Sequence, residues 1–392
     1  MTAKRDVGRF LAFCLILVGL ALVFSSLYRA LPAHAASVAH ISGVVGTGSP
    51  ASCTDAALAT AIAGGGTITF NCGPAPHTIF VSTSVITQTT TVDGGGKITL
   101  DGENLRQIFY VYDGGNLTVR NITLFAADGF AGGAIYNEDI VTLQLVTVEN
   151  SSTSGNGGAI FNNGGVVTIS DSTFINNSGV HGGAIYNDGG TVSVARSLLM
   201  GNVAQTHGGG IYNASGQVSV TNSTFAGNFA DTGGGLYNNI SAQAVLLNVT
   251  MNINRADIGG AIFNNFSNIN AKNSIMANSL TRNGLDPSLN CDGPSIISEG
   301  YNIIGDGSCV PEDIEGDQRH TDPELGPLQD NGGPTLTHMP LSGSPAINNG
   351  TNVGCPATDQ RGASRPVGAA CDIGAAEYGG LLPYLYLPLV VR

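Results

Sequence analysis

The sequence GGAIYN at Gly132–Asn137 is the first of six near-identical phrases, and these phrases decide the fold of the chain. The other five read GGAIFN, GGAIYN, GGGIYN, GGGLYN and GGAIFN, and they begin at Gly157, Gly182, Gly208, Gly233 and Gly259. Successive phrases start 25 or 26 residues apart. Self-similarity at a nearly constant period of this size indicates stacked repeats, in which each repeat contacts its neighbours. The phrases therefore predict a solenoid.

The composition of one period favours strands over helices. Each period contains short runs rich in Val, Ile, Thr and Phe, such as GVVTIS at Gly165–Ser170, separated by Gly, Asn, Asp and Ser. No run carries an apolar stripe of helical period. We therefore predict an all-β fold: a single-stranded, right-handed parallel β-helix with a short N-terminal capping helix and a non-repetitive C-terminal cap. About ten coils at the strand spacing of about 4.8 Å would make a rod roughly 50 Å long.

Stacking places equivalent residues of successive coils above one another. The Ile or Leu of each phrase is predicted to form the apolar core column, and the Asn a corner ladder whose amides bond along the stack. The aromatic residue between them faces either inward or outward, and the sequence leaves that open. The core column is Ile135, Ile160, Ile185, Ile211, Leu236 and Ile262, the Asn ladder is Asn137, Asn162, Asn187, Asn213, Asn238 and Asn264, and the aromatic column is Tyr136, Phe161, Tyr186, Tyr212, Tyr237 and Phe263.

A second phrase, a hydrophobic residue followed three positions later by Asn, lies between the glycine phrases. Its clearest copies are Phe174–Asn177 and Phe225–Asn228. Looser copies lie at Leu199–Asn202, Met251–Asn254 and Ile275–Asn278. A second phrase that recurs between the copies of the first also indicates stacked repeats.

The two ends of the chain differ from the repeats. Met1–Ala35 has a basic start, an apolar stretch and an A-x-A site, which predict a signal peptide, with an uncleaved membrane anchor as the alternative. SCTDAALATAIA at Ser52–Ala63 predicts a helix, capped by Ser52 or Thr54, that covers the first coil. The predicted division is 1–35 signal peptide, 36–66 linker and capping helix, 67–310 β-helix, 311–378 C-terminal cap region and 379–392 a short apolar tail of sorting or anchor type.

Six cysteines lie outside the predicted signal peptide, in three sequence-local pairs: Cys53 with Cys72, Cys291 with Cys309, and Cys355 with Cys371. In an exported protein, local disulfides are the economical expectation, although other connectivities are possible. Each bridge would stabilise the fold by about 3 kcal/mol on a chain-entropy estimate. Metal binding is the alternative, but C-x₂-C spacing is missing, so we predict neither a metal site nor a cofactor.

The charge of the chain argues against nucleic-acid binding. The formal net charge is −13 at pH 7, and charged residues make up 11% of the sequence. An acidic surface repels phosphate backbones. We therefore expect no nucleic-acid partner.

Polysaccharide catalysis is the main alternative to a structural role, because parallel β-helices carry many such enzymes. Glycoside hydrolysis needs two carboxylates on one face, and a lyase needs a Lys or Arg base near carboxylates that hold Ca²⁺. The candidates are the pairs Asp171 with Asp188, Asp128 with Asp139 and His181 with His207, and the scattered cations Arg196, Arg255 and Lys272. All of these residues are also expected at turns or on solvated corners. We therefore predict no catalytic residue, while enzymatic activity stays uncertain.

The densest set of charges lies near the C-terminus: Asp359, Arg361, Arg365, Asp372 and Glu377. Charges at this density can perturb one another's pKa, as in active sites. They also match Arg forks on carboxylates. We predict an ion-paired network that fixes the C-terminal cap to the last coil.

The repeats resemble those of a known family. The GGAI and FxxN phrases between Asn116 and Asn278 resemble the repeats of chlamydial polymorphic outer-membrane proteins, whose passenger regions are β-helices linked to adhesion. Nearly all of Cys53–Glu377 is similar to bacterial surface proteins with a choice-of-anchor Q domain. That similarity rests on the Cys-led helix and TITF strand at Cys53–Phe70, on DQRG at Asp359–Gly362 and on CDIGA at Cys371–Ala375. It implies an exported β-helix followed by a variable sorting tail.

These features predict an extracellular or cell-surface bacterial protein with a structural or adhesive role. The aromatic column is the predicted binding surface, for a polysaccharide or another cell-surface component. The alternative is a polysaccharide lyase or glycoside hydrolase. The ligand, the oligomeric state and the means of anchoring stay open.

Overall fold

Each repeat forms one turn of a parallel β-solenoid, and its strands pair in parallel with those of the next repeat. The computed structural model describes residues 43–294, 296–310 and 314–382. Within these ranges the chain is nearly all β, with about ten turns and one α-helix, so the predicted fold class is confirmed. No helix among the described residues is long and apolar enough to cross a membrane. The predicted signal peptide and the tail from residue 383 onward lie outside the described residues.

The strands form four columns, named here in the order in which a turn visits them. The long strands Thr89–Asp101, Asn116–Phe125 and Ile140–Glu149 bend from the second column into the third, and Ile185–Ala195 and Ile211–Thr221 bend from the first into the second. The first column also contains Ser84–Ile86, Phe109–Val111, Ile135–Asn137, Ile160–Asn163, Leu236–Asn238, Ile262–Asn264 and Cys291–Asp292. The second contains Gly43–Val45, Gly66–Phe70, Val166–Ser170, Ala242–Leu247, Asn268–Lys272 and Ile297–Ser298. The third contains His77–Phe80, Thr173–Ile175, Leu198–Met200, Thr224–Ala226, Thr250–Asn252, Ile275–Ala277, Ile303–Ile304 and Gln318–Arg319, and the fourth Asp128–Gly129, Ser152–Thr153, Ser178–His181 and Val203–His207.

The paired glycines make the corner that leads into the first column. Gly157 has a φ of +72°, a conformation that glycine adopts without the steric cost of a Cβ. A Cβ on the neighbouring Gly158 would overlap the carbonyl oxygen of Gly183 in the next coil. The first glycine is therefore required for its conformation and the second for close stacking.

The corner between the second and third columns uses one left-handed residue per coil. Its members have φ between 46° and 55°, and most are Asn or Asp, which tolerate this region better than other side chains. They are Asn121, Leu145, Asp171, Arg196, Asn222, Asn248 and Asn273. A single residue per turn thus sets the bend along the length of the stack.

The interior holds the Ile column and two Asn ladders. The Ile and Leu side chains of the glycine phrases are buried, as are the phrase asparagines. Each Asn from Asn137 to Asn213 donates from Nδ2 to Oδ1 of the next Asn at 2.7–2.9 Å. At Asn238 the run changes, because its Nδ2 donates to Oγ of Ser267 at 2.5 Å. Ser267 in turn donates to Oδ1 of Asn264 at 2.7 Å.

The second phrase forms the second ladder. Asn177, Asn202 and Asn228 each donate to the next Asn, ending at Asn254, at 2.9–3.0 Å. The copy at Ile275–Asn278 is out of register by one residue, because Met276 pairs with Met251. Two adjacent apolar residues made the phrase ambiguous in the sequence.

The N-terminal end is covered by the helix Asp55–Ala63, which follows a 3₁₀ turn at Pro50–Ser52. Thr54 caps the helix by accepting a bond from the Ala57 amide at 3.2 Å. The strand Gly43–Val45 precedes the helix and pairs with Gly66–Phe70, so the stack begins before the predicted boundary at residue 67. This strand carries no repeat phrase that would reveal it.

The three predicted local disulfides are formed, as Cys53–Cys72, Cys291–Cys309 and Cys355–Cys371.

The lateral segment, residues 320–382, follows the last coil and runs back along the outside of the third column. It contains an antiparallel hairpin of Leu325–Gln329 with Thr337–Pro340. Its Ala346 and Ile373 form a second buried cluster with outward side chains of the third column, Ile275, Ala277 and Ile303. The predicted C-terminal cap region therefore also covers one side of the solenoid.

Corner asparagines hold the lateral segment in place. The side-chain amides of Asn222, Asn248 and Asn273 donate to backbone carbonyls of the segment at 2.7–3.3 Å. Asn273 also accepts a bond from the Thr351 amide at 2.9 Å. The same column that bends the coils thus supplies the docking contacts.

We predict that Asn162→Ala destabilises the solenoid by about 2–4 kcal/mol. The substitution leaves the buried donor of Asn137, the acceptor of Asn187 and the carbonyl of Gly165 without their partner, and each such loss costs about 1–3 kcal/mol before relaxation. Denaturant unfolding measures the change. The control is the exposed neighbour Asn163→Ala, expected to change stability by less than about 0.5 kcal/mol. Equal effects of the two variants would contradict a structural role for the ladder.

Candidate functional site

The aromatic column faces outward, which answers the question that the sequence left open. In each of the six glycine phrases the ring lies between an inward Ile or Leu and an inward Asn. Neighbouring rings stack with centroids 4.7–5.3 Å apart and planes within 26° of parallel. Tyr110, one period before Tyr136, extends the predicted column by one ring. The complete aromatic ladder is Tyr110, Tyr136, Phe161, Tyr186, Tyr212, Tyr237 and Phe263.

Stacking determines which part of each ring meets solvent. The faces of the inner rings are covered by their neighbours above and below. Each such pair contributes about 0.5–1.5 kcal/mol beyond its buried area. The ladder therefore presents ring edges and phenol hydroxyls along its length.

Two histidines cover the middle of the ladder. The rings of His181 and His207, in successive coils, stack with their centroids 5.1 Å apart. The His181 ring lies 5.0 Å from the Tyr212 ring, and the His207 ring lies 4.7 Å from the Tyr237 ring, centroid to centroid. Tyr212 and Tyr237 are only 9% and 7% exposed. Burial, with Tyr186, Tyr237 and Asp188 nearby, raises the pKa of Tyr212 to about 12. This part of the predicted binding column is closed to a ligand.

The N-terminal part of the ladder is open. A cleft of about 490 Å³ lies beside the rings of Tyr110, Tyr136 and Phe161. Its outer wall is Phe130, whose side chain is 91% exposed. The remaining lining residues are Gln107, Ala131, Gly155 and Asn156. A mostly apolar cleft with a few polar groups is the usual form of a small-ligand site.

A carboxylate lies beside the phenol groups of the cleft. The hydroxyl of Tyr136 donates to Glu138 at 3.1 Å and accepts from the amide of Asn163 at 2.9 Å. Burial, together with the charge of Glu138, raises the pKa of Tyr110 and of Tyr136. Both phenols therefore stay protonated at neutral pH, as hydrogen-bond donors and acceptors.

Of the candidate catalytic pairs, His181 and His207 are brought together, whereas the candidate carboxylates Asp171, Asp188 and Asp139 each have another partner. Asp171 forms a bidentate ion pair with Arg196, at 2.7 and 2.6 Å. Asp188 accepts a bond from Ser215 at 3.1 Å, and Asp139 accepts one from the Gly114 amide at 2.9 Å. Asp128 and Arg255 both lie along the fourth column, but several coils separate them, and Lys272 lies in the second column. These three side chains therefore do not form one cluster. Across the described ranges, no group of three or more His, Cys, Asp or Glu residues is placed to hold a metal ion.

The distal charges form a buried network in the lateral segment. Arg361 pairs with Asp359 at 2.7 and 2.9 Å, and Arg365 pairs with Glu377 at 3.0 Å with both side chains fully buried. Arg365 also donates to Oδ1 of Asn222 at 3.2 Å. The network is therefore linked to a coil in the middle of the stack, and the predicted attachment to the last coil is wrong, because the segment runs back along the side of the solenoid. Burial raises the pKa of Asp372, within the same network, to about 6. The geometry is that of charges holding the segment to the stack.

Sequence reasoning missed the residues that open the cleft. Tyr110 could have been found by extending the period one step backwards from Tyr136. Ala131 and Asn156 directly precede the first two glycine pairs, where later coils carry His181 and His207. Small residues at a position where two later coils carry imidazoles are a signal of open space. Phe130 and Gln107 have no counterpart in the repeat phrases.

We predict that Arg365→Met loosens the lateral segment. The substitution leaves Glu377 buried without its ion pair, which typically costs about 3–5 kcal/mol. Limited proteolysis should cut within residues 320–382 much faster, while the coils stay protected. The control is Arg120→Met, which breaks the more exposed pair with Asp93 and should cost at most about 1 kcal/mol. Unchanged proteolysis of the Arg365 variant would contradict the docking role of the network.

We also predict a pH dependence from the stacked histidines. Burial lowers the pKa of His181 and of His207, and the charge of His207 lowers that of His181 further. Because these pKa values are lower in the folded chain than in the unfolded chain, the two histidines contribute to the stability of the fold in their neutral form. That contribution is fully present above the unfolded pKa of 6.5 and is lost as the pH falls through the lower folded-state pKa values.

The melting temperature should therefore fall between pH 7 and pH 5 by less in a His181→Gln/His207→Gln variant than in the parent chain. An equal fall in both chains would show that the histidines are not responsible.

Comparison with known proteins gives one partial match. A model of the Chlamydia polymorphic membrane protein repeat matches residues 171–188, which include Phe174–Asn177 and the third glycine phrase. No curated protein and no solved structure was found to match the chain. The chain thus contains a repeat similar to those of the chlamydial polymorphic membrane proteins, on a parallel β-solenoid.

Proposed function

We propose that this chain is an exported β-helix protein of the bacterial cell surface with an adhesive role. The repeat similar to chlamydial polymorphic membrane proteins supports a place at the envelope. Three disulfides support an oxidising compartment outside the cytoplasm. The basic and apolar start of the sequence supports export through a signal peptide.

The cleft beside the N-terminal rings of the aromatic ladder is the proposed binding site, for a carbohydrate or another cell-surface component. The observation that carries this proposal is the exposed ring of Phe130 facing an open, ring-lined cleft on a rigid stack. A concave surface lined mainly by aromatic and apolar side chains, with a few polar groups, is characteristic of binding sites. A solenoid also repeats its contacts over many coils, so the site is held on a stiff support.

The test is a binding and turnover assay with the purified chain. Neutral and uronate polysaccharides are presented with and without Ca²⁺, and both retention and released product are measured. We expect retention without product, and a loss of retention of about tenfold or more in Phe130→Ala. That loss corresponds to at least about 1.4 kcal/mol of binding free energy.

The matched control is Phe266→Ala, which removes another exposed ring, 78% exposed, away from the cleft. It should retain polysaccharide as the parent chain does. Product release would replace the adhesive proposal with the enzymatic alternative. Equal losses in both variants would place binding outside the cleft.

A further inference from the structure

In the first four glycine phrases, the residue before the glycine pair differs between coils where the aromatic ladder is open and coils where it is closed. This position forms a column of its own: Ala131, Asn156, His181, His207, Thr232 and Ile258. In the two central coils the imidazoles pack against the tyrosine rings at 5.0 Å or less. In the two N-terminal coils Ala131 and Asn156 are too small to do so, and the 490 Å³ cleft occupies the space.

The lining of the cleft has the chemistry of a sugar site. Among its eight lining residues none is charged. The side chain of Asn156, Oε1 of Gln107 and the phenol of Tyr110 supply hydrogen-bonding groups for hydroxyls. Nε2 of Gln107 already donates to the Ala131 carbonyl at 2.7 Å, and the Tyr136 hydroxyl is already bonded to Glu138 and Asn163. The rings of the ladder are stacked on one another, whereas Phe130 has an exposed face against which the C–H face of a pyranose can pack.

Charge then selects among saccharides. Glu138 is exposed, and it is bonded to the Tyr136 hydroxyl beside the cleft. No Lys or Arg lines the cleft, and the whole chain carries a net charge of −13. An anionic sugar would be repelled by Glu138 and by the net negative charge of the chain, and no cation in the lining would pair with it. Binding of an anionic sugar is therefore weaker than binding of an uncharged one.

We infer that the cleft binds an uncharged glycan, packed against Phe130, and that Ala131 and Asn156 are the specificity-determining small residues that admit it. This inference rests on the proposed function, since it names the ligand class of the same site. It adds a reason why the ladder is open beside Ala131 and Asn156 and closed beside His181 and His207.

The experiment uses soluble β-glucan and mannan as neutral probes, alginate and pectate as anionic probes, and chitosan as a cationic probe. Affinities are measured for the parent chain and for Ala131→His, which places in the cleft the imidazole that closes the ladder at His181. Ala131→Ser keeps the position small and serves as the matched control. Circular dichroism and melting temperature establish that both variants fold.

We expect a neutral probe to bind best, to lose at least tenfold in affinity in Ala131→His, and to change less than about twofold in Ala131→Ser. A further variant, Glu138→Gln, tests charge selection. It should raise affinity for alginate or pectate severalfold, because it removes the carboxylate that repels them.

The possible failures are distinguishable. Preferred binding of an anionic or cationic probe overturns the assignment of an uncharged ligand, while carbohydrate binding survives. Neutral binding that Ala131→His leaves intact overturns the location, because the site then lies elsewhere on the chain. Failure of every probe to bind removes both this inference and carbohydrate as the ligand of the proposed function.

Discussion

The structure depends on hydrogen bonds between buried side-chain amides, each of which finds its partner in the equivalent asparagine of the next coil. An Asn side chain has both donors and an acceptor, so a column of asparagines can bond to itself without other partners. Asn162 shows this arrangement, since it accepts from Asn137 and donates to Asn187 while fully buried. Because an unpaired buried amide is costly, the coils from Asn137 to Asn238 place the same residue at the same position, and Ser267 then links Asn238 to Asn264. This cost explains the near-constant period and the exact repetition of the Asn in all six phrases.

Positions outside the ladders are free to differ, and function is proposed to arise there. The residue before the glycine pair has no ladder bond to keep, so it varies from Ala to His to Ile along the stack. At His181 and His207 the aromatic ladder is closed, and beside Ala131 and Asn156 a cleft remains. A uniform repeat would present one surface throughout its length. The break in uniformity limits the candidate site to one end.

The fold could be predicted from the sequence because each stacked coil needs the same residues at the same positions, so the same phrase recurs six times. Core, aromatic and Asn columns follow from the period alone. The direction of the aromatic column was left open. Alternation along the strand places Tyr136 on the opposite face from Ile135 and Asn137, and both Ile and Tyr occur in cores. The burial of Ile135 and Asn137 shows that Tyr136 faces outward. The path of the lateral segment was equally hidden, because Asn222 and Asn273 bind residues more than 70 positions away in a part of the chain without repeats. The cleft combines one ladder position with Phe130, which no period marks.

The most direct measurement uses the absence of tryptophan from the chain. A Phe130→Trp variant carries a single indole at the wall of the cleft, so its fluorescence reports on that place alone. Titration with a soluble neutral glycan should produce a saturable blue shift, because the sugar displaces water from the indole face. A Phe266→Trp variant, with its indole on another exposed surface, should show no shift. Glycan binding without any change at position 130 would contradict the account, because the ligand would then lie away from the open end of the ladder.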